Sequence, residues 1–313
     1  MSLRIVFLGT PAFAVPSLEA LARSRHQLVG VISQPDRPKG RGQHLQATPT
    51  KLAASALGIP VLQPAKVRDD AFLQAVRDLR SDLGVVVAFG RILPDALLAI
   101  PRLGMINVHA SILPRYRGAA PIQRAVLAGD AETGVSIMRV VSELDAGPVF
   151  SIARVPIPPD ATGGDMDGVL AALGARELVP IVDALADGRA VETPQDHALA
   201  THAAKITKAE GIVDWSRPAA AVHDQVRGLQ PWPLAATTLR GARLVIRRTA
   251  VVSRGSEGAA PGTVLHARGD ELIVACGGGT AVQVLEVQPE GRRTMTAREF
   301  LAGHGGLQGE RLG

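Results

Sequence analysis

The sequence predicts an α/β protein in which a doubly wound, mostly parallel sheet is followed by a smaller β-barrel domain. In the first part of the chain, apolar runs typical of buried strands alternate with helical segments, and this order favours a parallel sheet covered by helices. Beyond residue 233, short strand-like runs follow one another at regular spacing, which is typical of a small barrel. A chain of 313 residues has room for two domains with cores of ordinary size.

The apolar runs place the elements of the first part in order. Strands are predicted at residues 4–8, 28–33, 61–62, 84–89 and 105–109, and helices at 16–23, 51–57, 69–80, 94–100 and 121–128. A strand pair at 134–141 and 148–156 precedes a helical region at 166–186. The turn after the first strand, residues 9–13, lacks the G-x-G-x-x-G that lets a backbone approach a pyrophosphate. The pattern therefore excludes a dinucleotide-dependent dehydrogenase.

The composition changes after Gly188, where large apolar residues become rare. We expect a first domain at residues 1–189, an extended linker at 190–210 and a second domain at 211–313. The second domain is predicted to begin with a helix at 218–228, followed by strands at 234–239, 243–252, 262–266, 271–275 and 280–287. Trp215 and Trp232 are expected to anchor its core.

Overall composition is that of a globular protein, with 46% hydrophobic and 20% charged residues. The single cysteine, Cys276, rules out a disulfide framework and favours a reducing compartment, so we expect a cytoplasmic protein. Cys276 lies in an apolar run, where a buried thiol is more common than a reactive one. No run of ~18 apolar residues occurs, and the first apolar run is too short for a signal peptide. We therefore expect neither secretion nor a membrane partner.

Two polar residues at the end of one predicted strand point to a site. Asn107 and His109 are two residues apart, so they face the same side of the strand at 105–109. The strand end leads into an extended loop, because the residue before Pro114 avoids the helical region. The pair thus lies where open α/β sheets bind ligands. A further carboxylate, Asp145, stands in the connection between the strands at 134–141 and 148–156.

These three groups suit the transfer of an acyl group to an amine. A carboxamide donates to the oxyanion of a tetrahedral intermediate, an imidazole manages protons near neutral pH, and an aspartate orients or charges that imidazole. Read alone, an N-x-H string is also typical of a hydrogen-bonded packing histidine. The histidines show no H-E-x-x-H and the cysteine is unpaired, so we expect no metal.

The surrounding motifs resemble those of the formyltransferases that use 10-formyltetrahydrofolate, and most closely the branch of that family that acts on methionyl-tRNA. The resemblance runs over nearly the whole chain, in FLGTP (7–11), QPDRPKGRG (34–42), VVAFG (86–90), INVH (106–109), RGAAPIQ (117–123), DWS (214–216) and PWP (231–233). Two departures stand out. Residues 163–167 are unusually rich in glycine and acids, and His202 stands where a tyrosine is common.

The resemblance implies a formyltransferase-like first domain, an OB-like second domain, and transfer of a formyl group from 10-formyltetrahydrofolate to methionyl initiator tRNA by a monomer. By the same resemblance, Asn107, His109 and Asp145 form the catalytic trio. The folate is implied to lie against Phe89, Gly90, Ser111, Ile112, Leu113, Pro114 and Ser142.

Two basic segments are candidates for contact with tRNA. Arg37, Lys39 and Arg41 lie on a loop broken by proline and glycine, which resembles a loop that closes on the acceptor end but by itself is equally typical of a solvated surface. The second segment holds five arginines with no acid between them, Arg240, Arg243, Arg247, Arg248 and Arg254. Strand alternation predicts that Arg247 and Arg248 face opposite sides, so we expect part of this set, with Arg247, to contact phosphate. The net charge of +5 permits such binding, although a composition rich in arginine gives the same charge without it.

Three alternative functions compete with this one. The same donor serves enzymes that act on an amino sugar or another small amine, and a barrel-like extension does not exclude these. Glycinamide formyltransferases carry a glycine- and serine-rich phosphate loop after the first strand, which this chain lacks. A tRNA-binding module with an inactive first domain is the third alternative, and the intact trio argues against it.

Overall fold

The computed structural model describes residues 1–39, 44–253, 255–256 and 258–313. Over these residues the chain forms two compact units. Unit 1 comprises Met1–Pro121, Glu132–Pro156 and Asp167–Ala203, and unit 2 comprises Ile122–Ala131, Ile157–Met166 and Ala204–Gly313. Among the described residues, no helix has the length and apolarity needed to cross a membrane.

The strands of unit 1 are β1 (Arg4–Gly9), β2 (Gln27–Ile32), β3 (Arg37–Lys39), β4 (His44–Gln46), β5 (Val61–Leu62), β6 (Leu83–Val87), β7 (Met105–His109), β8 (Arg117–Gly118), β9 (Glu132–Arg139), β10 (Val149–Pro156) and β11 (His202–Ala203). Seven of them form the main sheet in the order β10-β9-β7-β6-β1-β2-β5. The pairs from β7 to β5 are parallel, and β9 and β10 run antiparallel to their neighbours. The predicted mostly parallel sheet is confirmed.

The helices are α1 (Val15–Ala22), α2 (Pro49–Ala56), α3 (Asp70–Asp78), α4 (Asp95–Leu98), α5 (Pro121–Leu127), α6 (Gly163–Ala186), α7 (Ala219–Gly228) and α8 (Ala297–Ala302). The apolar spacing of α3 explains its packing, because Phe72, Leu73 and Val76 fall on one helix face and are all buried. They pack in a core cluster with Val6 of β1 and Val86 of β6. β6 is buried along its whole length, as expected of a parallel strand with covered faces.

Unit 2 is built on an antiparallel sheet that is consistent with an OB-like domain. Its strands are β12 (Ala235–Leu239), β13 (Ala242–Val252), β14 (Val264–Arg268), β15 (Glu271–Ala275), β16 (Ala281–Pro289) and β17 (Met295–Thr296). The order is β12-β13-β16-β15-β14, and β17 pairs with β16. The sequence predicts β12 to β16 but misses the short β17 and α8.

The two tryptophans of unit 2 behave differently. Trp215 belongs to the core, where its Nε1 donates to Oγ1 of Thr237 at 3.1 Å, so its predicted role as an anchor is confirmed. The same prediction for Trp232 is wrong, because that side chain is 50% exposed. Cys276 is buried, and burial raises the pKa of its thiol to about 11, which makes it an unreactive cysteine at neutral pH.

The strand alternation predicted for β13 breaks at Arg247. Ile246 pairs with Val287 and Arg248 with Glu286, so Arg247 is an extra residue in the ladder. This β-bulge removes the basis for expecting Arg247 and Arg248 on opposite faces, and both line one cavity.

Close packing within unit 2 explains why residues 163 and 164 are glycines. A Cβ on Gly163 would lie 2.8 Å from the carbonyl oxygen of Gly228, and one on Gly164 would lie 3.3 Å from Cδ of Pro231. The start of α6 therefore comes close to the segment that follows α7, and a larger residue at 163 would push them apart.

Candidate active site

The carboxyl end of β7 carries the two polar side chains that the sequence singles out. Asn107 lies opposite Val86 of β6 and Met138 of β9, and His109 lies opposite Ser136. Alternation along the strand places both on one side of the sheet, as predicted. His109 is 5% exposed, so its imidazole is shielded from bulk water. Between the Asn107 carboxamide and the described residues there is no hydrogen bond, which leaves its donors for a ligand.

The imidazole of His109 is oriented by a backbone carbonyl. Its Nε2 lies 2.9 Å from the carbonyl oxygen of Tyr116. Because a carbonyl only accepts hydrogen bonds, this network assigns a proton to Nε2. Nδ1 lies 3.6 Å from Oδ2 of Asp145. Nδ1 is therefore the nitrogen of this ring that can gain or lose a proton without breaking the orienting contact.

The two carboxylate oxygens of Asp145 have different surroundings. Oδ2 accepts a hydrogen bond from the backbone N–H of Gly118 at 2.9 Å. Oδ1 has no hydrogen-bond partner among the described residues. One oxygen is thus fixed beside His109, and the other is available as a proton acceptor.

Unusual backbone conformations collect at this end of the sheet. Ala88, Tyr116 and Asp145 have left-handed φ values of 48°, 61° and 49°. In a residue other than glycine this conformation costs ~1 kcal/mol or more and concentrates at functional sites. Here it sets the Tyr116 carbonyl and the Asp145 carboxylate where both reach His109.

A buried polar network braces the loop that carries Asp145. The amide of Gln195 donates to the carbonyl oxygens of Asp145 and Gly147 at 2.9 and 2.7 Å. Its Oε1 accepts from Nε and Nη2 of Arg117 at 3.1 and 2.8 Å. Arg117 and Gln195 are both buried, and Arg117 also lies 3.4 Å from Oε1 of Glu143. Because buried polar groups need their partners, Gln195 ties the conformation of this loop to the segment after α6.

The loop after β7 is held by a serine of β9. Oγ of Ser136 donates to the carbonyl oxygen of Ser111 at 2.7 Å and accepts from N of Leu113 at 3.1 Å. Ser111 and Leu113 are buried, whereas Ile112 and Pro114 are partly accessible. The predicted folate contacts of residues 111–114 therefore fall on a loop of fixed shape with two accessible positions.

At the end of β6, the backbone of Phe89 is the polar feature. Its carbonyl accepts from Oγ1 of Thr10 and from Nε2 of Gln34, both at 3.1 Å. Nε of Arg91 donates to Oε1 of Gln34 at 2.9 Å. The Phe89 side chain is 2% exposed and packs in the core, so the accessible residue at this strand end is Gly90.

The remaining predicted contacts are surface residues. Ser142 and Arg37 are exposed. Arg37 stands on β3, which pairs antiparallel with β4, so these residues form a strand where the sequence predicts a loop. Arg41, Arg254 and the side chain of Lys39 lie outside the described residues. Over the residues that are described, no cluster of three or more His, Cys, Asp or Glu has the arrangement of a metal site.

Sequence reasoning misses three polar residues of this site, Gln34, Arg117 and Gln195. Gln34 and Arg117 open two of the motifs that carry the family resemblance, and that position is a usable signal. Gln195 stands in a polar segment that reads as a linker, and nothing in its sequence neighbourhood indicates burial.

The chain is similar to known proteins over nearly its whole length. The family model described as formyl transferase matches residues 3–182, and the model described as formyl transferase, C-terminal domain, matches residues 205–305. A methionyl-tRNA formyltransferase of Roseiflexus castenholzii is 50% identical over 315 residues, covering 100% of both proteins. One of Sorangium cellulosum is 48% identical over 302 residues, covering 96% of each.

A solved structure supports the fold. The N-formyltransferase of Helicobacter canadensis, crystallised with folinic acid and dTDP-3-aminofucose, superposes with a TM-score of 0.69. The match covers 92% of this chain and 100% of that chain at 16% identity, which shows a shared architecture and nothing about the acceptor.

Proposed function

The chain belongs to the formyl transferase family, and from this premise we propose that it transfers the formyl group of 10-formyltetrahydrofolate to the α-amino group of methionyl initiator tRNA, the reaction that prepares this tRNA for translation initiation. The observation that carries the proposal is the pair of relatives that match over almost the full chain at 48% and 50% identity and are described as methionyl-tRNA formyltransferases. The site geometry supplies the groups that the reaction needs.

The first step is attack of the neutral amine nitrogen on the formyl carbon. A C–N bond forms, the carbonyl electrons move to oxygen, and the attacking nitrogen becomes positively charged. The carboxamide of Asn107, which has no competing hydrogen bond among the described residues, donates Nδ2–H to this oxyanion. The first step therefore depends on an unengaged carboxamide donor and needs no nucleophilic side chain.

The second step removes a proton from the attacking nitrogen and breaks the bond to N10 of the folate. Oδ1 of Asp145 accepts the amine proton, directly or through a water, while Oδ2 stays on the Gly118 N–H. Nδ1 of His109, 3.6 Å from Oδ2, either carries a proton that offsets the charge of the carboxylate and the oxyanion or receives one from Asp145. The oxyanion then re-forms the formyl C=O as the bond to N10 breaks, and N10 leaves with the electron pair and takes up the proton removed from the amine, which balances the reaction.

The assignment of binding residues follows the same reasoning. The folate lies along Gly90 and the partly accessible positions of the 111–114 loop, with Ser142 at its edge, and the Phe89 contact is made by the backbone. We assign the chemistry to residues 1–189, a connecting role to 190–210 and tRNA binding to 211–313, helped by Arg37, Lys39, Arg41 and Arg247. We also propose that the protein acts as a monomer in the cytoplasm.

The test is the acceptor dependence of formyl consumption. Purified protein is incubated with 10-formyltetrahydrofolate and either charged initiator tRNA, uncharged tRNA, free methionine or a nucleotide-linked amino sugar. We expect turnover only with charged initiator tRNA, because only this acceptor joins the amine to the RNA. Turnover with the amino sugar and none with tRNA would replace the proposal with the small-amine alternative.

A further inference from the structure

The segment after α7 displays an indole to solvent. Trp232 is 50% exposed, whereas the chain's other tryptophan, Trp215, is 5% exposed. Single exposed apolar side chains are ordinary, so exposure alone assigns no role to Trp232. Two independent observations suggest a role for it. One concerns the residues that flank Trp232, and the other concerns the cavity next to its turn.

The backbone on both sides of Trp232 is held rigidly. Pro231 and Pro233 fix their own φ angles, and each ring packs against a glycine of another segment. A Cβ on Gly164 would lie 3.3 Å from Cδ of Pro231, and one on Gly211 would lie 3.5 Å from Cγ of Pro233. N of Leu234 donates to the carbonyl oxygen of Leu229 at 3.0 Å and closes the turn. The indole is therefore presented by a preorganised backbone, which lowers the entropy lost on binding.

The same turn is joined to a polar cavity. Nε2 of Gln230 donates to the carbonyl oxygen of Arg247 at 2.7 Å, and Gln230, Arg247 and Arg248 line a cavity of about 350 Å³. The bulge in β13 brings these two consecutive arginines to one cavity. No acid of the described chain forms an ion pair with either guanidinium. Both arginines are thus available to a ligand.

Carboxylates line the cavity beside the two arginines, and this combination of charges limits which ligands can bind there. Asp165 is engaged by N and Oγ1 of Thr162, Asp160 is largely exposed, and Glu286 lies opposite Arg248 in the strand register. A simple anion would meet repulsion from these carboxylates. A nucleotide offers both kinds of partner, because its base and sugar present donors to carboxylates and its phosphate accepts from guanidinium groups.

We propose that Trp232 is a stacking platform for one unstacked base of the RNA substrate, and that the Arg247–Arg248 cavity takes the sugar and phosphate next to that base. The inference rests on the proposed function, since it requires an RNA substrate. Stacking on an aromatic side chain tolerates every base, so the platform adds affinity without selecting a sequence.

Tryptophan fluorescence tests the stacking directly, because Trp232 is the accessible indole and Trp215 is buried. The wild-type protein is titrated with charged initiator tRNA and, separately, with a short unstructured oligoribonucleotide. We expect quenching of the acrylamide-accessible emission in both titrations. The Trp232→Phe variant keeps a stacking ring but loses this signal, and its tRNA affinity should stay within about threefold of wild type.

The Trp232→Leu variant removes the aromatic face while keeping an apolar side chain. We expect its Kd for charged tRNA to rise by about 5- to 150-fold, the loss equivalent to one base stack, while its rate at saturating tRNA stays unchanged. Val251→Ala removes an exposed apolar side chain of β13 and serves as the matched control, with wild-type affinity. Trp232→Phe is the second variant. If Trp232→Leu loses affinity and Trp232→Phe retains it, the loss is due to the missing aromatic ring and not to a disturbed fold.

Wild-type affinity in Trp232→Leu, or tRNA binding without any quenching of wild-type emission, would overturn the stacking proposal. Either result leaves the proposed function intact if the wild-type protein still formylates charged tRNA. Absence of formylation by the wild-type protein overturns the proposed function, and the oligoribonucleotide titration still decides the stacking.

Discussion

The Asp145 loop of unit 1 and the Trp232 turn of unit 2 are both held by hydrogen bonds. In the first the hydrogen bonds position a side chain, and in the second they position only the backbone. At Asp145 the buried side chains of Arg117 and Gln195 fix a carboxylate next to His109. At Trp232 the scaffold fixes a backbone and leaves the side chain exposed. The first arrangement holds one proton acceptor in a single position. The second offers a surface that many ligands can use.

This difference predicts how each region responds to substitution. Chemistry depends steeply on geometry, so changes around Asp145 should lower the rate at saturating substrate. Binding to RNA adds up many modest contacts, so changes in unit 2 should lower affinity and leave the rate at saturation alone.

Replacing Asn107 by alanine should produce the largest loss. The variant lacks the donor to the oxyanion, and loss of such a donor lowers kcat by roughly 100- to 1000-fold. Because the carboxamide makes no hydrogen bond to the described residues, folding and tRNA affinity should be unchanged. Single-turnover formylation at saturating tRNA measures the effect, and a rate within threefold of wild type would remove Asn107 from the mechanism.

Gln195→Leu should lower kcat by roughly 10- to 100-fold without touching a substrate. Leucine has a similar size but cannot hold the carbonyls of Asp145 and Gly147, so the carboxylate shifts away from His109. Gln195→Glu should not rescue activity, since a carboxylate cannot donate to carbonyls. Gln74→Leu, on the exposed surface of α3, is the matched control. If Gln195→Leu changes folate affinity while kcat stays normal, its role is not positioning.

Arg247→Gln tests the RNA side of the comparison. We expect tRNA affinity to fall several-fold and the slope of log K against log salt to decrease by about one unit, as for the loss of one phosphate contact. The rate at saturating tRNA should not change. Arg243→Gln, an exposed arginine of the same strand, is the control and should leave the slope nearly intact. An unchanged slope in Arg247→Gln contradicts the assigned contact.

The smallest expected effect is on stability, in Glu210→Gln. Glu210 accepts from Arg124 at 2.6 Å, and this contact, together with the Thr207 N–H, lowers the pKa of the carboxyl group. A lowered pKa stabilises the folded state fully above the usual value of 4.5, and the contribution is lost progressively as the pH falls from that value through the lowered pKa of the folded state. Both side chains are partly exposed, so we expect less than about 1 kcal/mol at pH 7. Urea unfolding at pH 7 and pH 3.5 should show a larger difference between variant and wild type at pH 7 than at pH 3.5.

Periodicity predicts the elements that set up the active site. β7 has the predicted bounds of 105–109. The parallel strands are recognisable as continuous apolar runs because both faces of the sheet are covered. The position of Asn107 and His109 follows from that strand alone. The contact between Nδ1 of His109 and Asp145 does not, since it depends on left-handed backbone at residues 116 and 145 that no local pattern encodes.

Other features escape sequence reasoning because they depend on distant partners. Gln195 looks solvated in a polar segment, yet Arg117 makes its burial favourable. The bulge at Arg247 interrupts the alternation of side chains that the sequence predicts for this strand. Trp232 is exposed although tryptophan is usually found in a core. In each case a contact far along the chain decides against the local preference.

The most direct test of the account compares Asp145→Ala with Trp232→Leu in two assays, the single-turnover rate at saturating charged tRNA and the Kd for the same tRNA. We predict that Asp145→Ala lowers the rate by ~100-fold or more with wild-type Kd, and that Trp232→Leu raises Kd by at least about fivefold with a wild-type rate. A matching loss of rate and affinity in both variants would contradict the division between a positioned chemical site and a tolerant RNA surface.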